Sequence, residues 1–163
     1  MREELTRLGV AELHDAAAVD AAMQEAEEGT TLVVVNSVCG CAAAMARPAV
    51  ALAMRHAVQP DRYVTVFAGQ DLEATAHLRA TYLHGIPPSS PFMALFKDGD
   101  PVYVVERRHI EGRSANAIAA DLVRAYDKYC ADGTAAADAP ERPEAADAPQ
   151  AASNLPPTFR SIL

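Results

Sequence analysis

The sequence contains no tryptophan, few other aromatic residues and only three cysteines among 163 residues. Three cysteines, an odd and small number, do not suit the dense disulfide framework of small secreted domains. No apolar run approaches the roughly 20 residues that a transmembrane helix requires. The first four residues are not followed by the apolar core of a signal peptide. We therefore expect a cytoplasmic protein whose cysteines serve redox or metal chemistry.

Basic residues are also scarce. The sequence has 14 lysines and arginines but 22 acidic residues, which gives a net charge of -8. No segment forms a basic stripe, and an acidic surface repels the phosphates of nucleic acids. We expect neither nucleic acid nor a membrane as a partner. The sequence carries no feature that specifies an oligomeric state.

The apolar periodicity that a folded core requires is confined to residues 1–133. Residues 134–163 consist mainly of Ala, Pro and acidic residues, followed by a short apolar terminus. Such a composition has too little apolar surface to bury and is typical of disordered segments. We predict one domain over residues 1–133 and a disordered tail over residues 134–163.

One junction organises the domain. Residues 32–35 are Leu-Val-Val-Val, a run typical of a central strand that is covered on both faces. Cys39 and Cys41 follow, and an alanine-rich helix begins at or just after them. The free amide N–H groups and the positive dipole at a helix start stabilise a thiolate. Cys39 is therefore the candidate nucleophile.

The same pair permits other interpretations. Cysteine often packs simply as a small apolar residue. Cys39 and Cys41 are also suitable soft ligands for zinc, copper(I) or an iron-sulfur cluster, with Cys130 or a histidine completing the set. A single close pair lacks the second ligand pair that structural zinc sites usually have. The alternative function is thus a metal-binding or iron-sulfur protein.

Strand and helix patterns alternate along the domain, which predicts a parallel arrangement with right-handed crossovers. An Asp-Gly hairpin turn then switches the order to antiparallel. Together they predict an α/β, thioredoxin-like fold, a central mixed sheet flanked by helices, with an N-terminal β/α extension. The predicted strands are 9–13, 31–35, 63–68, 92–97 and 101–106, and the main helices are 16–28, 40–58, 72–83 and 115–130.

Three details of the helices follow from local chemistry. Asp15, Asp71 and Ser114 are predicted N-caps. Pro48 interrupts the helix after the cysteines, which means either a kink or two separate helices. The third helix is expected to bury a face that includes Leu72, together with Ala76, Leu83 and the stem of Arg79.

Several motifs in order resemble those of one known family. They are NSVCGCAA at 36–43, ARPA at 46–49, VFAGQD at 66–71, PSSP at 88–91 and RHIEG at 108–112. In these motifs, over about residues 1–130, the chain resembles the bacilliredoxins, a family of thioredoxin-like proteins. Members usually end near residue 130, so the tail is a departure from the family pattern.

The resemblance implies a bacterial thiol-disulfide oxidoreductase that removes bacillithiol, a low-molecular-weight thiol, from mixed disulfides on client proteins. Disulfide isomerase activity is also associated with the family. Cys39 would attack, and either Cys41 or a second bacillithiol would resolve the adduct. The implied partners are bacillithiol, as co-substrate, and bacillithiolated proteins, and no resident cofactor is implied.

The expected substrate contacts are Asn36, Ser37, Gly40, Ser90 and Pro91. Asn36 and Ser37 either donate hydrogen bonds to the thiolate or the substrate, or serve only as turn residues. In a regular helix the side chains of Cys39 and Cys41 would point to nearly opposite sides. A disulfide between them needs a distorted first turn, for which Gly40 supplies the freedom.

Two expectations concern residues outside the cysteine loop. A resemblance to thioredoxins implies a cis peptide bond before Pro91 that turns residue 90 toward Cys39. The residues alone favour an ordinary trans turn proline. Arg47 either attracts the carboxylates of bacillithiol or is a solvated surface charge. The five histidines show no spacing that indicates a site.

Overall fold

The structure is a computed structural model that describes residues 1–131. The predicted tail at 134–163 lies outside the described residues. Residues 1–131 form five strands and five α-helices, and the strands and the four longer helices follow one another in the predicted order. They are α1 (Glu3–Thr6), β1 (Ala11–Glu12), α2 (Ala16–Glu25), β2 (Thr30–Asn36), α3 (Arg47–Ala53), β3 (Arg62–Phe67), α4 (Leu72–Thr81), β4 (Phe92–Lys97), β5 (Asp100–Val105) and α5 (Ala115–Tyr129).

The strands form one mixed sheet in the order β1-β3-β2-β4-β5. The strands β1, β3 and β2 are parallel, whereas β4 runs antiparallel to β2 and β5 antiparallel to β4. The hairpin between β4 and β5 turns at Asp98 and Gly99, which both have positive φ. This topology confirms the predicted thioredoxin-like fold, with β1 and α2, preceded by the short α1, as its N-terminal extension.

The central strand β2 is buried along its whole length, as its apolar run predicts. Its side chains alternate between two cores, as the period of a strand requires. Leu32 and Val34 pack in one core with α3 and α5, and Val33 and Val35 pack in the other with α2 and α4. The sheet is therefore covered on both faces, and only its edges and the loops at its ends reach solvent.

Two predictions about α4 are wrong. Leu72 is 68% exposed, and Ala76 is exposed too, because α4 turns Ala74, Thr75 and Leu78 toward the core. Leu83, just beyond the helix, is buried as expected. In a segment with several alanines, composition does not distinguish the buried alanine from the exposed one.

Asp71 precedes α4, but its side chain does not cap the helix. It accepts hydrogen bonds from the backbone N–H of Phe67 at 3.0 Å and from two guanidinium nitrogens of Arg2 at 2.8 Å. A bidentate, charge-assisted pair is stronger than a neutral cap bond, so it determines the orientation of the carboxylate. Asp15 and Ser114 do cap their helices, as predicted.

The helix after the cysteines begins with a π-helical turn, Ala42–Ala46, that continues directly into α3. Pro48 has no N–H to bond the carbonyl of residue 44, and its ring would clash with that carbonyl in an α-helix. In the wider π turn the Arg47 N–H bonds the carbonyl of residue 42, and the turn leaves more room for the proline ring. The segment is therefore one helix with an irregular start, and it ends at Ala53, earlier than predicted. The predicted helix 16–28 likewise ends at Glu25.

Candidate active site

The register of the sheet brings three segments that are distant in sequence to the same end of the sheet. Val35 pairs with Phe92, and Met93 pairs with Val105. The loop that follows β2, the residues that precede β4 and the residues that follow β5 therefore meet at the same end of the sheet. They contain the cysteine pair, Ser90-Pro91 and a 3₁₀ turn, Arg107–His109. The predicted cis bond between Ser90 and Pro91 is confirmed.

Cys39 is half-buried and its sulfur is surrounded by hydrogen-bond donors. The hydroxyl oxygen of Ser37 lies 3.2 Å from Sγ, and the backbone N–H of Ala42 donates to Sγ at 3.4 Å. The Ala42 amide lies in the first turn of the helix and also donates to the Cys39 carbonyl at 3.1 Å, so its hydrogen is shared between the two acceptors. Of the two roles considered for Ser37, the contact with Cys39 is therefore present.

The two sulfurs differ in acidity. Burial raises the pKa of Cys39, but hydrogen bonds from Cys41, Ser37 and the Ala42 amide, with the charge of Arg107, bring it below its usual value. Burial raises the pKa of Cys41, and the neighbouring Cys39 raises it further. The pair therefore loses its first proton preferentially from Cys39, and Cys41 is the thiol that donates to the resulting thiolate.

Arg107 is a site residue that the sequence alone did not indicate. Its charge lowers the pKa of both cysteines. Its backbone N–H donates to Ser89 Oγ at 3.3 Å, and its guanidinium donates to the Ser90 carbonyl at 3.4 Å and to Glu111 at 2.8 Å. Arg107 stands directly before the RHIEG motif and follows a strand that ends beside the cysteine loop. This position is the sequence signal that would have indicated Arg107.

Arg47 corrects both alternatives drawn from the sequence, because it is neither a solvated charge nor available to a substrate. It is 3% exposed and donates to Glu4 at 2.8 Å, to Asn36 Oδ1 at 3.1 Å and to the Ser37 carbonyl at 3.1 Å. The guanidinium on α3 therefore links α1, the end of β2 and the start of the cysteine loop by hydrogen bonds.

Asn36 belongs to the same support. It is 2% exposed, and its side-chain oxygen accepts from the Ser37 N–H at 2.9 Å as well as from Arg47. Asn36 thus holds the backbone of Ser37, whose hydroxyl in turn reaches the thiolate. Gly40 is exposed beside the cysteines, and a Cβ at this position would have no atom within 4 Å.

Cys130 lies far from this end of the sheet. It follows α5, and Thr30, at the opposite end of β2 from the cysteine loop, is among its neighbours. A seven-residue strand spans about 20 Å. Within residues 1–131 no group of three or more His, Cys, Asp or Glu side chains is placed to hold a metal ion. The same chain's Cys130 is therefore not the third ligand of the metal-site alternative.

None of the helices between residues 1 and 131 combines the length and the apolar composition that a membrane crossing needs.

Comparison with known proteins places the chain in a family. Residues 1–130 match the family described as disulphide isomerase. A bacilliredoxin of Salinibacter ruber is 59% identical over 162 residues, which is 99% of this chain and 94% of that protein. A bacilliredoxin of Koribacter versatilis is 52% identical over 130 residues, 80% of this chain and 88% of its own.

The match to the Salinibacter protein extends into the C-terminal tail, so the tail is not peculiar to this chain. A solved structure, the reduced thioredoxin pre-protein of Schistosoma mansoni, is 17% identical with a TM-score of 0.49, and covers 72% of this chain and 97% of that one. The family match over the whole domain and the identity to its curated members agree with the motifs around the cysteine pair. The chain therefore belongs to the bacilliredoxin family of thiol-disulfide oxidoreductases.

Proposed function

We propose that the protein removes bacillithiol from mixed disulfides on client proteins of the cytoplasm, with Cys39 as the nucleophile and Cys41 as the resolving thiol. The observation that supports the assignment is the asymmetry of the pair. The sulfur of Cys39 accepts from the Ala42 N–H, and as a thiolate it also accepts from the Ser37 hydroxyl and the Cys41 thiol, whereas Cys41 acts as a donor to Cys39. The thiolate is the reactive form of cysteine, so the residue that holds the negative charge attacks first.

In the first step the Cys39 thiolate attacks the bacillithiol sulfur of the mixed disulfide. A new bond forms between Cys39 and bacillithiol, the old disulfide breaks, and the client cysteine leaves as a thiolate that takes up a proton. The client is reduced and Cys39 is oxidised, with no outside electrons. The Ser37 hydroxyl and the Ala42 amide hold the attacking sulfur at the surface of the loop.

The first step also prepares the second. Burial and the adjacent Cys39 keep the pKa of Cys41 high in the reduced protein. Once Cys39 is in a disulfide it carries no charge and no longer accepts the Cys41 proton, while Arg107 and the Ala42 amide still favour a Cys41 thiolate. Cys41 then loses its proton and attacks Cys39, which expels bacillithiol as a thiolate.

The Cys39–Cys41 disulfide that results is reduced by a further thiol. A second bacillithiol that attacks the adduct directly gives bacillithiol disulfide and free Cys39 instead. Disulfide isomerase activity uses the same first step, with a client disulfide as the target, and is part of the proposal. Recovery of activity from scrambled ribonuclease measures it.

The roles are tested with one model protein prepared in bacillithiolated and glutathionylated forms. Cys39→Ala is expected to abolish release from both. Cys41→Ala is expected to release the client once and to accumulate bacillithiol on Cys39, visible as a mass increase of the intact protein. The wild type is expected to prefer the bacillithiolated form.

Cys130→Ala is the matched control, because it removes a thiol that lies at the other end of the sheet. It is expected to leave both release rates unchanged. If Cys41→Ala abolishes release while Cys39→Ala accumulates the adduct, the assigned roles are wrong. Equal rates with both mixed disulfides would exclude bacillithiol as the specific substrate.

A further inference from the structure

A cleft lies beside the cis-proline loop and is separate from the cysteine pair. Residues 86–89 form one wall, and Arg79, Leu83 and Phe92 complete the lining. The walls are mostly apolar, and the guanidinium of Arg79 is the charged group among the lining residues. The cleft therefore combines an apolar surface with one fixed positive charge.

The charge of Arg79 is not neutralised by the described part of the chain. Its guanidinium donates one hydrogen bond, to the Ser89 carbonyl at 3.0 Å, and within residues 1–131 it forms no ion pair. Four of its five N–H groups thus remain for another acceptor. Burial lowers the pKa of Arg79, and no nearby carboxylate opposes this effect.

The other arginines near the cysteine end of the sheet differ in this respect. Arg2 is paired with Asp71 and Glu12, Arg47 with Glu4, and Arg107 with Glu111. Among the arginines of residues 1–131, only Arg79 and the exposed Arg55 lack an ion pair, and of these two only Arg79 lies in a partly apolar cleft. A half-buried guanidinium is stabilised most by a carboxylate that arrives with a ligand.

Ser89 and Arg107 connect the cleft to the cysteine pair. Ser89 accepts from Arg79 on one side and from the Arg107 backbone on the other. Arg107 is close enough to change the pKa of Cys39 and Cys41. The enclosed space of the cleft is only about 10 Å³, which is about the room that one water molecule needs. The cleft is therefore a shallow, open depression, and one terminal group of a molecule that is anchored elsewhere can lie at its mouth against Arg79.

We infer that the Arg79 cleft is a subsite for a carboxylate of the small acidic thiol that forms a mixed disulfide with Cys39. The inference rests on the proposed function and adds a specificity determinant to it. The sulfur of the small thiol is fixed at Cys39, and its carboxylate accepts hydrogen bonds from the free N–H groups of Arg79.

The test uses the full chain and one model protein that carries either of two small thiols on the same cysteine. Mercaptosuccinate supplies carboxylates, and 2-mercaptoethanol supplies none, while the client part of the substrate stays constant. Arg79→Gln is expected to lower kcat/KM for the mercaptosuccinate disulfide about tenfold, the loss of one charge-assisted contact. The neutral disulfide is expected to change less than twofold.

Two variants control for other effects of the substitution. Arg79→Lys keeps the charge without the planar fork, so it is expected to retain part of the preference. Arg55→Gln changes the net charge equally at an exposed position beyond the end of α3, and both rates are expected to remain at wild-type values. If Arg79→Gln lowers both rates by the same factor, Arg79 only supports the loop through Ser89, and the inference is overturned.

A binding measurement separates this inference from the proposed function. S-methyl mercaptosuccinate cannot exchange disulfides, and it is expected to shift the Arg79 Nε–H resonance of the wild type. If that shift occurs while neither mixed disulfide reacts, the proposed function fails and the subsite stands. If exchange proceeds without the shift and without a charge preference, the subsite fails and the proposed function stands.

Discussion

The hydroxyl oxygen of Ser37 lies 3.2 Å from the sulfur of Cys39. The backbone of Ser37 is held in place on both sides, because the side chain of Asn36 accepts a hydrogen bond from its N–H and Arg47 donates one to its carbonyl. Once Cys39 is ionised the hydroxyl must be the donor, since a thiolate only accepts. The contact therefore stabilises the charged form of the nucleophile and lowers its pKa.

Ser37→Ala tests this contact through the pH dependence of exchange. Loss of the donor raises the pKa of Cys39, so a smaller fraction is thiolate at pH 7. The exchange rate there is expected to fall about three- to tenfold, the usual effect of one hydrogen bond. At alkaline pH, where both proteins are fully ionised, the rates are expected to converge. A curve that is lowered at every pH without moving would contradict the role.

Arg107 acts on the same thiolate by charge. Arg107→Gln is expected to raise the pKa of Cys39, measured by thiolate absorbance at 240 nm, and to slow exchange at neutral pH about two- to fivefold at low salt. The effect is modest because the side chain is 46% exposed. Glu111→Gln removes the carboxylate that opposes Arg107 and is expected to shift the pKa in the opposite direction.

Arg107→Lys distinguishes the effect of the positive charge on Cys39 from the hydrogen bond that the guanidinium donates to the Ser90 carbonyl. It keeps the positive charge, so its thiolate titration is expected to stay near that of the wild type. Added salt is expected to reduce the difference between the wild type and Arg107→Gln, because salt screens exposed charges. A difference that persists unchanged at 1 M salt would show that the charge of Arg107 does not act on Cys39.

Local patterns predicted the parts of the fold that depend on nearby residues. The apolar run at 32–35 gave the central strand, and Asp98-Gly99 gave the hairpin. The contact between Ser37 and Cys39 spans two residues, so a local pattern was enough to suggest it.

The errors concern contacts between residues far apart in sequence. Asp71 caps nothing because Arg2, 69 positions away, takes its carboxylate. Arg47 is buried because Glu4, 43 positions away, and the end of β2 surround it. Arg107 reaches the cysteines only because β4 and β5 fold back along β2. The sheet register creates these contacts, and a local pattern does not specify it.

The burial of Arg47 leads to a prediction about stability. Arg47→Met removes the donor for the Ser37 carbonyl and one donor for Asn36 Oδ1, both in a buried setting. The free energy of unfolding is expected to fall by about 1–3 kcal/mol, measured by urea denaturation. Exchange at neutral pH is expected to slow as well, because Ser37 is less firmly held. Arg55→Met, at an exposed site, is expected to change stability by less than about 0.5 kcal/mol. Equal stability of both variants would contradict the support role of Arg47.

A substitution at Gly40 is expected to affect the stability of the reduced protein and the closure of the Cys39–Cys41 disulfide differently. In the reduced structure its backbone is helical without a positive φ, and a Cβ would meet no atom within 4 Å. Gly40→Ala is therefore expected to leave the reduced protein as stable as the wild type, or to stabilise it by up to about 1 kcal/mol.

The internal disulfide makes a different demand on this glycine. Side chains two positions apart on a helix point in nearly opposite directions, so the backbone at residue 40 must adjust before Cys41 reaches Cys39. Alanine restricts that adjustment. The bacillithiol adduct on Cys39 is therefore expected to persist longer in Gly40→Ala, as measured by intact mass after acid quenching.

If the adduct disappears as fast as in the wild type, either the glycine is not needed for ring closure or a second bacillithiol resolves the adduct. The dependence of its decay on bacillithiol concentration separates these two explanations, because only attack by a second thiol accelerates with concentration.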